Sequence, residues 1–145
     1  MEVNKKELKE QEIRTLFITP ALNQKGWAVG VNMREEYYFT DGRVLVIGNQ
    51  HSVAEGKKAD YLLYHKGKPI AVVEAKDNKH AVGGGIQQAM SYAEILDLKF
   101  AYSSNGNAFL EHDFITGKET EIKLEDFPTD RKSTRLNSSH QIISY

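Results

Sequence analysis

The feature that most constrains the fold is a pair of apolar segments, residues 58–64 and 69–76, which a polar turn joins. The turn contains Gly67, and a short polar linker with glycine between two strand-like segments predicts a β-hairpin. Apolar side chains occupy both even and odd positions of the two arms. A strand with two apolar faces is stable only where other layers cover both sides of its sheet. The sequence therefore predicts an α/β domain, with this hairpin inside a mixed sheet that helices flank.

At the open end of the hairpin, Asp60 opens the first arm, and Glu74 and Lys76 close the second. Because side chains alternate along a strand, Glu74 and Lys76 project from the same face. Asp60 shares that face if the register pairs even-numbered residues with even-numbered ones, so that Asp60 lies opposite Glu74. Two carboxylates and an ammonium group suit metal-assisted hydrolysis of a phosphodiester, which needs oxygen ligands for Mg²⁺ and a cation near the attacking water.

The Glu-x-Lys spacing by itself is weak evidence, because it occurs four times in the chain. Only the copy that begins at Glu74 follows an apolar strand that is itself preceded by a strand opening in Asp. From the hairpin alone, the alternative that Asp60, Glu74 and Lys76 are solvated charges at strand ends stays open.

Composition narrows the class of protein. A chain of 145 residues with 40% hydrophobic and 27% charged residues is the size of one domain with a single core. No segment reaches membrane-spanning length, and the charged residues 1–12 lack the apolar core of a signal peptide, so a cytoplasmic location is expected. The absence of Cys excludes disulfides and thiolate catalysis. The net charge of −1 means that a nucleic-acid partner requires a local basic surface.

Helical patterns precede the hairpin. Asn4 and Glu7, three residues apart, have the form of a capping box, so a helix is predicted to begin there. Thr19-Pro20 predicts the start of a second helical turn that ends at Gly26. Residues 43–47 predict a strand, and residues 50–57 a polar connection. The buried stripe of the first helix is predicted to consist of Leu8, Ile13, Leu16 and Phe17, with Glu10 and Arg14 on another face.

A helix and a second hairpin follow. The glycine triplet at residues 83–85 lacks the Lys-Ser/Thr of a phosphate-binding loop, so we interpret it as a flexible hinge. Apolar residues at helical spacing predict a helix over residues 86–96, on which Gln88 and Tyr92 lie one turn apart. Residues 99–103 predict a strand, with a turn at Asn105-Gly106 and a return strand after it.

Six short motifs stand in order along residues 10–113, and together they are more specific than any one of them. In this order and spacing the sequence resembles the N-terminal domain of the R (restriction, HsdR) subunit of type I restriction-modification enzymes, a PD-(D/E)XK nuclease. The motifs are Glu10 with Arg14, Pro20-Ala21-Leu22 followed by Gly26-Trp27, Ala59-Asp60-Tyr61, Val73-Glu74-Ala75-Lys76, Gln88 with Tyr92, and Ser104-Asn105-Gly106.

The resemblance implies a restriction-endonuclease-like fold and a role for each matching residue. Asp60 and Glu74 would be Mg²⁺ ligands, with the Ala75 carbonyl as a third. Lys76 would orient or activate the water. The further residues that it implies are Glu10 in the same acidic cluster, with Glu12 as the alternative register, and Gln88 and Tyr92 as active-site support or contacts to the DNA backbone.

The resemblance also implies partners. Subunits of this family act on double-stranded DNA in complex with methylation and specificity subunits, and the full complex uses ATP and S-adenosylmethionine. No Walker A motif occurs here, so we expect a nuclease domain separated from the ATP-driven translocase. The alternative is a non-catalytic DNA-binding or assembly domain on the same scaffold.

The last sixteen residues differ from the rest of the chain. Residues 130–145 are basic, rich in serine and without apolar periodicity. One interpretation is a disordered basic tail that touches DNA. The one we favour is that the tail is not native, because it resembles the conceptual translation of a sequencing adapter. The domain is therefore predicted to span residues 1–129.

Overall fold

The computed structural model of the protein describes residues 4–40, 44–47, 50–53 and 56–130. All of the predicted tail except Asp130 lies outside the described residues. Within them, no helix is long and apolar enough to cross a membrane.

A six-stranded mixed sheet forms the centre of the fold, in the order β1-β4-β5-β6-β7-β8, beside a two-stranded sheet of β2 and β3. Neighbouring strands of the large sheet are antiparallel except β5 and β6, which are parallel and joined through helix α3. The predicted α/β architecture with a mixed sheet is confirmed. The elements are α1 (Glu10–Ile13), a π-helical segment (Arg14–Ile18), α2 (Thr19–Gln24), β1 (Met33–Phe39), β2 (Val44–Ile47), β3 (Gln50–Val53), β4 (Lys57–His65), β5 (Lys68–Ala75), α3 (Ile86–Leu96), β6 (Phe100–Ser104), β7 (Ala108–Asp113) and β8 (Glu119–Lys123), with single 3₁₀ turns at Lys5–Glu7 and Leu124–Asp126.

Two hydrophobic cores cover the two faces of β4 and β5. Tyr61 and Leu63 belong to the core that contains apolar residues of the N-terminal helical segment. Leu62 and Val72 belong to the core that contains the apolar face of α3. Burial on both faces explains why the hairpin is apolar at even and odd positions, and it confirms the predicted central placement.

The hairpin has the predicted register at its open end. Tyr61 pairs with Val73 and Leu63 with Ala71, so even-numbered residues oppose even-numbered ones. The register shifts by one residue only beyond Leu63, toward the turn. Lys66 and Gly67 form that turn with φ values of 51° and 80°, the left-handed conformation that two-residue hairpin turns require.

The first helix does not begin where the capping pattern predicted. Asn4 caps only the 3₁₀ turn, and α1 starts at Glu10, where Glu12 Oε1 accepts a 2.9 Å hydrogen bond from the Lys9 amide. The helix then continues without a break at Thr19-Pro20, because a π-helical segment joins α1 to α2. That segment adds a residue to the turn, which shifts the apolar period and leaves Leu16 54% exposed instead of buried.

Two further predictions about loops are wrong. Residues 50–57 are not only a connection, because β3 lies within them and pairs with β2. The glycine triplet is not a hinge, since neighbouring groups are packed against it. A Cβ at Gly83 would lie 2.8 Å from Leu110 Cδ2, and one at Gly85 would lie 3.1 Å from Ser103 Oγ. The glycines are therefore needed for close packing of the chain that leads into α3.

Candidate active site at the open end of the hairpin

The central hairpin opens at Asp60 and Glu74. The Asp60 amide donates a 2.8 Å hydrogen bond to Glu74 Oε2, and the Ala75 amide donates one of 2.8 Å to Asp60 Oδ2. Beyond the pair Tyr61 and Val73, these bonds to carboxylate oxygens replace the backbone hydrogen bonds between β4 and β5. Both carboxylates are buried, with Asp60 5% and Glu74 3% exposed. Two acidic groups are thus held side by side at the end of the sheet, as the register predicted.

The opposite edge of β4 is irregular at the same residue. The pairing of β1 with β4 omits Glu36 and Asp60, and Glu36 has a φ of 50°. The Asp60 carbonyl accepts instead from Arg14 Nη2 at 3.4 Å. Strand β4 also changes faces here, since Ala59 lies in the α3 core while Tyr61 lies in the other. Asp60 is therefore held by side chains on both edges, outside both backbone ladders.

Arg14 is a residue of this site to which the sequence pattern gave no role. It is 3% exposed, although the spacing from Glu10 suggested a shared outer face. Its Nη1 atom lies 3.8 Å from Asp60 Oδ1 and 3.7 Å from Glu36 Oε2, and its guanidinium lies 4.9 Å from the centre of the Tyr61 ring. Its place in the quoted motif was the one signal that could have identified it. Arg14 supplies a buried positive charge beside Asp60.

Glu74 has the most strongly perturbed protonation equilibrium among the described residues. Its pKa is raised from 4.5 to about 8, first by burial and then by the negative charge of Asp60, while the hydrogen bond from the Asp60 amide and the charge of Lys76 oppose the shift. Glu74 therefore keeps a proton at neutral pH when no cation is bound. The expectation that two converging carboxylates raise at least one pKa is confirmed.

Glu10, and not Glu12, is the acid of the first helix that interacts with this site. Partial desolvation and then the charge of Asp60 raise the pKa of Glu10, and Lys76 acts in the opposite direction. Glu12 instead caps the helix through the Lys9 amide. Of the two acids that the sequence left open, Glu10 is the one whose pKa responds to Asp60 and Lys76.

Lys76 is half-buried at the end of β5. Its amide donates a 2.9 Å hydrogen bond to the Ser104 carbonyl, which fixes its backbone to β6. Its charge opposes the raised pKa of both Glu10 and Glu74, so its ammonium lies within electrostatic reach of both carboxylates. The expected grouping of two acids, a lysine and the Ala75 backbone is present.

Gln88 and Tyr92 form a pair of their own on α3. Gln88 Nε2 donates a 2.6 Å hydrogen bond to the Tyr92 hydroxyl. Gln88 is exposed, while the Tyr92 ring is buried edge-on to Phe39 at 5.0 Å between ring centres. Among the hydrogen bonds between described residues, none joins Gln88 to the Asp60 and Glu74 carboxylates.

A network of buried polar groups holds the loop after Lys76. Asn78 Nδ2 donates to the Asn105 carbonyl at 2.8 Å, and Asn105 Nδ2 donates to the His80 carbonyl at 2.7 Å. Ser103 Oγ accepts from the Gly85 amide at 2.9 Å. Asn105 of the Ser104-Asn105-Gly106 motif, together with the neighbouring Ser103, thus holds the loop that leads from the site into α3.

The donor set fits a hard cation. Among the described residues, no three His, Asp or Glu side chains are grouped as a complete metal site. Asp60 and Glu74 each use one oxygen for a backbone amide, which leaves Asp60 Oδ1 and Glu74 Oε1 outside those bonds. Mg²⁺ is commonly held by one or two carboxylates and several waters. The negative charge of Asp60 also raises the pKa of Glu74, and a bound cation would oppose that effect.

Comparisons with known proteins identify relatives of this chain. The family model "Type I restriction enzyme EcoKI endonuclease subunit second domain" matches residues 31–108, just over half of the chain. The chain is 40% identical over 133 residues to the type I restriction enzyme EcoAI endonuclease subunit of Escherichia coli, a match that covers 88% of this chain. A fragment structure described as an HsdR subunit of a type I restriction enzyme from Vibrio vulnificus YJ016 superposes with a TM-score of 0.75 at 45% identity.

This chain belongs to the family of type I restriction enzyme endonuclease subunits. It spans 16% of the length of the Escherichia coli relative. The match to the Vibrio vulnificus structure covers 90% of this chain and 25% of the Vibrio vulnificus chain.

Proposed function

We propose that this chain is a nuclease domain that hydrolyses phosphodiester bonds of double-stranded DNA with Mg²⁺. The observation that carries the proposal is a pair of adjacent buried carboxylates at a strand end, in which Glu74 accepts from the Asp60 amide and Asp60 accepts from the Ala75 amide. Burial of neighbouring acids costs stability, so a purely structural role does not account for it.

Each residue of the site has a defined part in this proposal. Asp60 and Glu74 hold Mg²⁺ together with the Ala75 carbonyl. Bound Mg²⁺ supplies Lewis-acid stabilisation of the phosphate charge and lowers the pKa of water. The Lys76 ammonium orients the attacking water and neutralises charge at the scissile phosphate. Glu10 completes the acidic cluster from the helical side.

Gln88 and Tyr92 support this site from α3. The exposed Gln88 amide contacts the DNA backbone, and its hydrogen bond to the Tyr92 hydroxyl fixes its position. The variant Gln88→Ala should weaken DNA binding or cleavage in the assembled enzyme while the melting temperature stays near that of the wild type. Unchanged activity would mean that Gln88 is an exposed residue beside a core tyrosine, with no part in DNA binding or cleavage.

The domain works as part of a larger assembly in this proposal. Its partners are double-stranded DNA and the methylation and specificity subunits, while ATP and S-adenosylmethionine serve other parts of the complex. The domain of this proposal spans residues 1–129, and near its end Trp27 Nε1 donates to the Pro128 carbonyl at 2.8 Å and Phe127 is buried. Deletion of residues 130–145 should leave the melting temperature essentially unchanged, and a drop of several degrees would show that they pack on the domain.

Calorimetric titration with Mg²⁺ tests the proposal on this chain. Asp60→Asn and Glu74→Gln should each lose Mg²⁺ binding, and each should abolish DNA cleavage when placed in a complete endonuclease subunit. The matched control is Glu121→Gln on the edge strand β8, which has the same Glu-x-Lys spacing and should change neither. Wild-type protein that binds no Mg²⁺ would favour a non-catalytic DNA-binding or assembly domain.

A further inference from the structure

A second lysine lies at the open end of the hairpin. Lys58 precedes Asp60 by two residues on β4, and Lys76 follows Glu74 by two residues on β5. If the register of the hairpin continued, Lys58 would lie opposite Lys76. The two lysines therefore occupy equivalent positions in the two arms, each two residues beyond a carboxylate toward the open end.

Strands β4 and β5 are no longer paired at Lys58 and Lys76. Lys58 stays with β1, where it pairs with Tyr38, while the Lys76 amide stays with β6 through the Ser104 carbonyl. The two lysine backbones consequently lie on either side of the gap that contains Asp60 and Glu74. A chain that crosses this gap would meet one lysine on each side.

The Lys58 ammonium is close to the acidic cluster and reaches solvent. Its Nζ lies 3.4 Å from Glu36 Oε1, and its side chain is 39% exposed. Burial and Asp60 raise the pKa of Glu10, and Lys76, Arg14 and Lys58 act against that shift. Lys58 thus contributes positive charge at the solvent-exposed edge of the Asp60 and Glu74 site, as Lys76 does from β5.

A polyanion that approaches this site meets mostly negative charge. Glu35, Glu36 and Asp60 surround the Arg14 guanidinium, which is buried among them and so is not available to a phosphate. The accessible positive charge that acts on this cluster comes from Lys58 and Lys76. Tyr38, 72% exposed beside Lys58, adds an aromatic surface of the kind that packs against nucleic acids.

We propose that Lys58 binds a DNA phosphate next to the scissile one, so that the cleaved strand lies across the gap between β4 and β5. This inference rests on the proposed nuclease function, and it makes Lys58 a substrate-binding residue on the far side of the gap from Lys76. Glu36 holds the ammonium in place until a phosphate replaces it.

The test is the salt dependence of DNA binding by this chain, measured by fluorescence anisotropy with a labelled duplex in EDTA, where no cutting occurs. A lysine that neutralises one phosphate contributes about 0.9 to the slope of log K against log salt. Lys58→Gln should therefore lower the slope by about 0.9, and Lys58→Arg should keep it. Lys57→Gln is the matched control, since it removes the same charge one residue away, and its slope should equal that of the wild type.

Three results would overturn the proposal: a wild-type slope in Lys58→Gln, an equal decrease in Lys57→Gln, or no DNA binding by the wild type at low salt. Melting temperatures of the variants check that each one is folded. Asp60→Asn separates this inference from the nuclease proposal, because it should lose Mg²⁺ binding and keep the wild-type slope. A Lys58-dependent slope in a chain that binds no Mg²⁺ would leave the phosphate contact standing and remove the nuclease assignment.

Discussion

The two ends of the central hairpin follow different rules, although the same two strands form both. At the turn end, β4 and β5 are paired through their backbones, and Leu63 and Ala71 oppose each other in a core. At the open end the backbone bonds give way to carboxylate oxygens, and Asp60 and Glu74 replace apolar neighbours. Residues that stabilise the fold and residues proposed for catalysis therefore occupy opposite ends of the same pair of strands.

The energetic terms at the two ends have opposite signs. Burial of apolar side chains near the turn contributes about 25 cal/mol for each Å² of surface removed from water. Burial of two acids costs free energy, which their bonds to backbone amides and the nearby Arg14 offset only in part. Substitutions at the turn end should therefore affect folding, and substitutions at the open end should affect activity.

The largest effect is expected for Lys76. Lys76→Ala should lower DNA cleavage by a complete endonuclease subunit by about 10²–10³-fold, because it removes a cation that acts on the water and the phosphate. Mg²⁺ binding should persist, since an ammonium group cannot be a metal ligand. Lys68→Ala, at the exposed turn end of the same strand, is the control and should cut normally. Near wild-type cleavage by Lys76→Ala would end the nuclease assignment of this site.

Stability should respond in the opposite way. Leu63→Ala should lower the free energy of unfolding by about 2–5 kcal/mol, because it leaves a cavity in a fully buried site. Asp60→Asn should leave the metal-free protein equally or more stable, since it removes a buried negative charge beside Glu74. Urea denaturation in EDTA measures both values. A loss in Asp60→Asn as large as that in Leu63→Ala would mean that the open end is built for stability as well.

The pH dependence of folding sharpens the comparison. The pKa of Glu74 is about 8 in the folded state and near 4.5 when unperturbed, so between these values the folded state holds a proton that the unfolded state has lost. Stability from this group is therefore complete below pH 4.5 and decreases as pH rises toward about 8. Glu74→Gln should remove this decrease and be several kcal/mol more stable than the wild type in alkaline solution, because each unit of pKa shift corresponds to about 1.4 kcal/mol. Urea unfolding measures the free energy of unfolding of both proteins across this pH range. The same pH dependence in the wild type and in Glu74→Gln would contradict a raised pKa of Glu74.

Two glycines give the smallest and most selective test. Gly67→Ala should cost about 1 kcal/mol through backbone strain alone, because φ is 80° and nothing lies within 4 Å of an added Cβ. Gly85→Ala should cost a similar amount for a different reason, since its Cβ would lie 3.1 Å from Ser103 Oγ and 3.4 Å from Glu74 Cβ. Mg²⁺ titration should therefore show weaker binding in Gly85→Ala and no change in Gly67→Ala. Equal Mg²⁺ affinities would mean that the site tolerates movement of Glu74.

Local patterns were enough for much of the fold. The helix predicted over residues 86–96 is α3, because its apolar spacing and the preceding glycines depend on near neighbours. The even-with-even register of the hairpin was predicted from the requirement that Asp60 share a face with Glu74, because both faces of the arms are apolar and burial alone does not select the register. The edge strands β1 and β8 were not predicted, because they are polar and their pairing partners are distant in sequence.

The sequence by itself determined that Asp60, Glu74 and Lys76 lie at the open end of a buried hairpin, and strand alternation put Glu74 and Lys76 on one face. Only the tertiary structure decided how the acids are held. The Asp60 carbonyl is bonded by Arg14, 46 residues earlier in the chain, and a left-handed Glu36 interrupts the neighbouring strand. The π-helical segment and the first turn of α1, which orient Arg14 and Glu10, also departed from the local pattern. The reason is that a buried charge is stabilised by whichever groups the fold brings to it, and those groups are distant in sequence.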